Sequence, residues 1–422
     1  MVAIPALGCG RATADGESPV TRLDDPPEAK VLNSRAYGRT RIRRVQDALK
    51  KNGVDVLVVS NRGMDYISYV SNYHPSSFQP GVALIPAEGQ PVLYLQMYSP
   101  AHARAARQTI WIDEVVDVPK DPVSESSSYN LYVDLLKTIR DRKLQSGRIG
   151  LAGGEVDWML VSFLQAQLPA ASVVEASDVL FSLVLVKDAV ELGLMRYAQR
   201  IIDEVAYPQY QRSLKVGRLD SEVYADVLDA MLRAGSDAAN SRLILGGGPY
   251  DSGAWAGGVE KRPLEADDIV LTRPIPRVQH YQMEKMFTFA LSRSIPESQK
   301  RGAQVVHEAF LLTLEELKPG LEMRPIYEKV TNYIRSKGYA EGSWVPIGHW
   351  IGVDSHQGWR ITSQGTRDLI LQPNMILSWH PNVVVPGEAR ACSSACLLIT
   401  DAGVENMSKI PMHPTYVIEP GT

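Results

Sequence analysis

Asp188 and Glu191 stand three residues apart at the head of a long run with helical apolar periodicity, and this pair divides the chain. An aspartate at the N-cap with a glutamate three residues on satisfies the orphan donors of a helix start reciprocally. The helix so opened carries Leu194, Met195, Ala198, Ile201, Ile202 and Val205 on one face. What precedes it is mixed in character. From about Arg39 a helix places Ile42, Val45 and Leu49 on one stripe, with Gly53 as its stop. A buried strand follows at 56–59. Residues 81–86 and 91–95 flank a Glu88-Gly89 turn as a hairpin, and strand and helix signals recur through 149–152. Residues 34–185 therefore read as one α/β domain and 186–422 as a second. A chain of 422 residues fits two domains. Residues 1–33, rich in Pro, Gly, Asp and Ala without periodicity, read as an extended arm.

Bulk properties exclude several functions. With 45% apolar and 22% charged residues there is ample material for ordinary cores. A net charge of −4, without any Lys/Arg-rich block, argues against nucleic acid or an anionic membrane surface as partner. No apolar stretch approaches the ~20 residues that span a bilayer. The opening apolar residues lack a basic start and are interrupted by Pro5, so no signal peptide is expected. Cys9, Cys392 and Cys396 form neither a disulfide framework nor a zinc-finger spacing, which suits a reducing cytoplasm.

The second domain holds the residues able to do chemistry. Residues 243–248 lead into a loop through Trp255. Residues 268–274 read as a strand and 281–291 as its return. A helix runs from about Pro296 to Leu317 and another from 324 to 336, with further strands at 375–380 and 397–400. On the returning strand, alternation puts His280, Gln282, Glu284, Met286 and Thr288 on one face, with Glu284 at mid-strand. A lone glutamate there is usually solvated. Arg273 sharpens the matter, because it is in phase with Ile269, Leu271 and Ile275 on an apolar face and must find an anion. Glu284 and a substrate carboxylate are both candidates, and one guanidinium can serve both. His349 and His356 flank Gly352, while His380 precedes the strand-breaking Pro381. Three histidines so close together favour a site over isolated polar groups.

Taken in order, the segments Leu245-Gly-Gly-Gly with Trp255 downstream, Asp268-Ile-Val-Leu271, Phe287-Thr-Phe289, Leu317-Lys-Pro-Gly320, Gly348-His349-Trp-Ile-Gly352, Leu371-Gln-Pro-Asn-Met375 and 398–406 resemble the creatinase/prolidase/methionine aminopeptidase family. The resemblance spans roughly residues 34–415 and leans toward the creatinase branch. It implies an α/β (α+β) fold, an N-terminal creatinase-like domain followed by a C-terminal pita-bread domain with a curved, mostly antiparallel sheet flanked by helices. Metallopeptidases of this family hold two divalent ions with two Asp, one His and two Glu. Onto these positions the resemblance carries Arg273, Glu284, His349, His380 and Ser394, the last shifting to Ser393 or Ala395 if the match slips by one. Creatinase, by contrast, works without metal through a histidine whose place is Trp255 here.

These departures lead to a specific expectation. The chain reads as a divergent, non-peptidase, creatinase-like enzyme without a metal or other cofactor, hydrolysing a C–N bond in a small carboxylate-bearing metabolite, for which an aromatic anion suits the lining. His349 or His380 would be general acid/base, with Glu284 orienting it and Arg273 gripping a carboxylate or oxyanion. Trp255, His356 and Ser394 would line the substrate. The same pocket could run a lyase, isomerase or decarboxylase reaction. The alternatives are a mononuclear metal enzyme using Glu284, His349 and His380, a known type of ligand set, and a non-catalytic binding protein. A cytoplasmic homodimer is what the resemblance and composition together imply.

Overall fold

The computed structural model describes residues 23–60, 64–74, 79–96, 100–120, 128–153, 157–240, 243–246, 261–339, 347–353, 361, 369–385 and 389–418. The apolar run after Gly53 forms the buried strand β1 (Val56–Ser60). With β2 (Gly81–Pro86), β3 (Val92–Leu95), β4 (Glu114–Asp117), β5 (Arg148–Ala152) and β6 (Ser172–Glu175) it makes a sheet in the order β4-β3-β2-β1-β5-β6. The β2–β3 hairpin turns at Gly89, whose φ of 103° suits a residue without Cβ. Alternation along β1 feeds two cores. Leu57 and Val59 pack in one with Ile42, Val45 and Leu49 of the helix Arg35–Lys51; Val56 and Val58 pack in the other with Leu131, Leu135 and Ile139 of the helix Tyr129–Asp141. The first of these helices begins earlier than its apolar stripe suggests, because the Ser34 hydroxyl caps it. Within the stretch expected to be an arm, Pro27–Leu32 forms a helix that buries Leu32.

The capping box at Asp188 and Glu191 is present and opens the helix Ala189–Ile201, which continues through a π-helical turn, Ile202–Ala206, into Tyr207–Ser213. Beyond it come β7 (Ala238–Asn240), β8 (Leu243–Gly246), β9 (Ile269–Thr272), β10 (Ile275–Val278), β11 (Tyr281–Gln282) and β12 (Phe287–Ala290). They are followed by β13 (Gly348–Trp350), β14 (Ile376–Trp379), β15 (Asn382–Val385), β16 (Ala389–Cys392), β17 (Ala395–Thr400), β18 (Gly403–Asn406) and β19 (Tyr416–Val417). Their sheets run β19-β12-β9-β8, β11-β10-β7, β13-β14-β17-β18 and β15-β16, antiparallel except for β12 with β19. The helices Glu297–Glu316 and Met323–Ser336 flank them, with bounds close to those expected.

One expectation is corrected here. Glu284 does not sit in mid-strand. Thr272 lies opposite Phe287 and Arg277 opposite Gln282, so a single register runs through both strand pairs, yet the ladder is interrupted between them. Pro274 and Pro276 lack the N–H groups a ladder needs, and residues 283–286 fall outside the strands, with Met283 keeping one bond from its N–H to the Pro276 carbonyl at 3.3 Å. The second ribbon repeats the device. Trp379 lies opposite Ala395 and Asn382 opposite Cys392, again in one register, with a break at His380-Pro381 and Ser393-Ser394.

Candidate metal centre

The two interrupted ribbons bring their breaks together. In the first, the common register puts Arg273 and Glu284 on one face of the strand pair. In the second, Ser378, His380, Ser394 and Cys396 share a face by the same rule, and His349 lies directly opposite Ser378. Contacts join the ribbons. Ser378 Oγ donates to Glu284 Oε1 at 2.6 Å, and the Cys396 thiol donates to the Glu284 carbonyl at 3.2 Å. Gly348 is needed beside His349, since a Cβ there would lie 2.5 Å from the Trp379 ring. Trp379 is itself tied to the helix Glu297–Glu316 through its indole N–H and Thr313 Oγ1 at 2.7 Å.

Arg273 and Glu284 form a buried ion pair. Nε donates to Oε2 at 2.9 Å, and Nη2 contacts the same oxygen. The ion-pair alternative left open by the sequence is thus realised. Glu284 Oε1 lies 2.9 Å from His349 Nε2, and Arg273 Nη2 is 3.4 Å from that nitrogen. Burial pushes the Glu284 carboxyl up, but Arg273, His349 and His380 outweigh it and hold the group well below the usual carboxylate range. Burial is the main force holding the His380 proton affinity well below that of an ordinary imidazole, and His349 and Arg273 add to it. Its ring lies 5.1 Å from that of His349, centroid to centroid.

Four buried atoms here have no hydrogen-bond partner: both ring nitrogens of His380 and the hydroxyls of Ser393 and Ser394. Native structures rarely leave such groups unmatched. Among the expected site residues, Arg273, Glu284 and His349 are in direct contact, His380 is beside them, and Ser394 lies across the ladder from His380. Trp255 and His356 lie outside the described residues. Ser378 and Cys396 join the site unannounced, although alternation from His380 and Ser394 points to both.

The donors suit one metal ion. One ligand atom each from Glu284, His349 and His380 lies within 4.8 Å of the other two. His349 Nδ1 is 3.3 Å from the Trp350 carbonyl; with the ring proton on Nδ1 the Nε2 lone pair faces Glu284 Oε1, and with it on Nε2 the ring donates to that oxygen. Two lone pairs that close repel unless a proton or a metal ion lies between them. The five-ligand, two-ion set does not fit. Glu284 is the one carboxylate in this cluster among the described residues, and a guanidinium covers it.

Two family models match the chain: metallopeptidase family M24 over residues 193–407 and the creatinase/prolidase N-terminal domain over residues 41–183. A two-domain chain of this fold, with a buried Glu-His-His cluster, is the class that results. It belongs to metallopeptidase family M24. Among similar proteins, a probable dipeptidase of Mycobacterium bovis is 25% identical over 244 residues, which are 58% of this chain and 63% of that relative's length. A Xaa-Pro dipeptidase of Pyrococcus horikoshii is 21% identical over 87% of this chain and 97% of its own. The crystal structure of a dipeptidase from Mycobacterium ulcerans superposes with a TM-score of 0.76 at 21% identity, covering 91% of this chain and 99% of that one. That of the prolidase from Pyrococcus horikoshii gives 0.71 at 20% identity, covering 88% and 99%.

These findings correct two expectations. The non-peptidase, creatinase-like enzyme gives way, because these relatives are named as dipeptidases and a prolidase within a metallopeptidase family. The metal-independent site without a cofactor gives way as well, because the described residues contain a buried ligand cluster. The error has a physical source. The sequence offers the Glu284, His349 and His380 metal set as the alternative but cannot show that the three ligand atoms converge, and their convergence favours that alternative. Among the described residues no helix is long and apolar enough to cross a membrane.

Proposed function

We propose that this protein hydrolyses the amide bond of short peptides with a divalent metal ion held by Glu284, His349 and His380. The observation that carries the reading is the buried cluster of three ligand atoms within 4.8 Å of one another, in a chain of a metallopeptidase family. The dipeptidase names of its relatives favour short peptides as substrate. Such an ion, when bound, supplies Lewis-acid polarisation of the amide carbonyl.

The chain's own groups prepare the site. Arg273 is the main group keeping Glu284 ionised against the pull of burial, and Ser378 orients its Oε1. Burial keeps the proton off one nitrogen of His380, leaving a lone pair for a ligand near neutral pH. Ser394, with Trp255 and His356, is assigned to substrate contact, and the homodimer implied by the resemblance belongs to the same reading.

The test uses protein stripped with a chelator and reloaded with Mn2+, Co2+ or Zn2+, assayed on a dipeptide panel that includes Xaa-Pro. Hydrolysis should appear on reloading. His380→Ala should reduce it by about a hundredfold or more, since even second-shell changes at metal sites cost about 10–100-fold. Turnover that survives chelation undiminished, or no turnover of any peptide by the loaded protein, sinks the reading.

A further inference from the structure

The centre already contains a positive charge. Arg273 is 4% exposed, its Nε and Nη2 both engage Glu284 Oε2, and Nη2 lies 3.4 Å from His349 Nε2. The other oxygen of Glu284 faces His349 and accepts the Ser378 hydroxyl. Two-ion centres set their cations about 3.5–4 Å apart, each balanced by anionic ligands. A second ion at such a distance here would meet the guanidinium that already covers Oε2. The groups in the neighbouring strand break, His380, Ser393 and Ser394, carry no negative charge to offset it. Like charges forced together away from water repel strongly.

We infer that this centre takes one divalent ion per chain, with Arg273 standing permanently where a two-ion centre would hold its second cation. The inference rests on the metal reading above and deepens it. Arg273 thereby becomes a fixed charge that chelation cannot remove. It stays against Glu284 whether or not the ion is bound.

The experiment counts ions. Stripped protein is titrated with Mn2+ by calorimetry, and its metal content is measured after desalting, with electron paramagnetic resonance to detect coupled ion pairs. Wild type should bind one ion per chain with no coupled signal, and so should Arg273→Lys. Arg273→Asp combined with Ser394→Glu supplies two carboxylates in place of the cation and a neutral hydroxyl, and should bind two ions with a coupled signal. Two ions in the wild type overturn the inference while leaving the metal reading intact. A folded double variant that still binds one ion also overturns it. No ion in the wild type sinks the metal reading itself. Should the double variant fail to fold, the wild-type count still decides.

Discussion

Arg41 with Glu191, at the junction of the two domains, and Arg273 with Glu284, in the candidate site, are the same chemical pair in different company. At the junction, Arg41 Nη2 lies 3.2 Å from Glu191 Oε1 and 3.1 Å from Asp188 Oδ2. Its guanidinium carbon sits 4.0 Å from the centre of the Tyr69 ring, and Tyr281 donates its hydroxyl to Glu191 at 2.9 Å. Arg41 Nε and Nη1 make no hydrogen bond, but they have an aromatic face beside them. The Tyr69 hydroxyl is likewise without a hydrogen-bond partner among the described residues. At the site, the pair is bordered by His380, Ser393 and Ser394, whose side-chain polar atoms have no partner among the described residues. An unmatched buried polar group costs about 1–3 kcal/mol. The junction's unmatched guanidinium nitrogens belong to a cation lying over an aromatic ring, whereas the unmatched nitrogens of the site belong to His380, in a group able to ligate a metal.

The largest effects should separate the two pairs. Arg41→Met and Arg273→Met each leave a buried carboxylate without its arginine, and each should cost about 3–5 kcal/mol of stability. Their response to metal should differ. Mn2+ can neutralise Glu284 in Arg273→Met and recover part of the loss, whereas at Glu191 it has no histidine partners to help hold it. Urea melts with and without saturating Mn2+ measure this. Rescue of both variants, or of neither, would break the comparison.

A smaller effect should appear in the pH dependence of the junction. There His280 Nε2 meets His74 Nε2, with ring centroids 3.2 Å apart. Burial, followed by Arg277, lowers the His74 value to about 4; burial, with His74 and Arg277, holds His280 well below its ordinary range. Asp237, which accepts from the Gln279 backbone N–H, is the acidic group nearest this turn among those bonded to it. Both folded values lie below the unfolded one of about 6.5, so between them the unfolded chain binds more protons. Stability from this contact is full above about pH 6.5 and declines as the pH falls toward 4. His280→Asn should flatten the urea midpoint over that window. An unchanged slope would show that the contact is not linked to proton uptake.

What was legible in the sequence depended on the range of the rule. The capping box at Asp188, the 81–95 hairpin and the bounds of the helix Glu297–Glu316 follow from neighbours in the chain, and the structure has them. The break around Glu284 was not legible in its own strand, because the alternation of 281–291 is uninterrupted. The prolines that impose the break, Pro274 and Pro276, belong to the strand opposite. For the same reason Ser378 and Cys396 went unnoticed: their contacts with Glu284 come from the docking of one ribbon on another. The Glu284, His349 and His380 metal set was legible as an alternative from segment order, whereas the convergence of its ligand atoms depends on how the ribbons dock and was not.

The smallest predicted effect is the sharpest probe of whether the site is open. Ser378 donates to the ionised Glu284 at 2.6 Å, so Ser378→Ala should cost about 1.5–3 kcal/mol, the range for hydrogen bonds to charged groups. Ser394 is as deeply buried, 1% exposed against 0%, but its hydroxyl has no hydrogen-bond partner among the described residues. Ser394→Ala in metal-free protein should therefore not lower stability, because no protein bond is lost and the cost of an unmatched buried hydroxyl is relieved. Urea melts of the two variants beside wild type give the contrast directly. If Ser394→Ala costs as much as Ser378→Ala, the hydroxyl already has a firm partner. The site would then be closed, and its unmatched polar atoms would no longer point to a ligand.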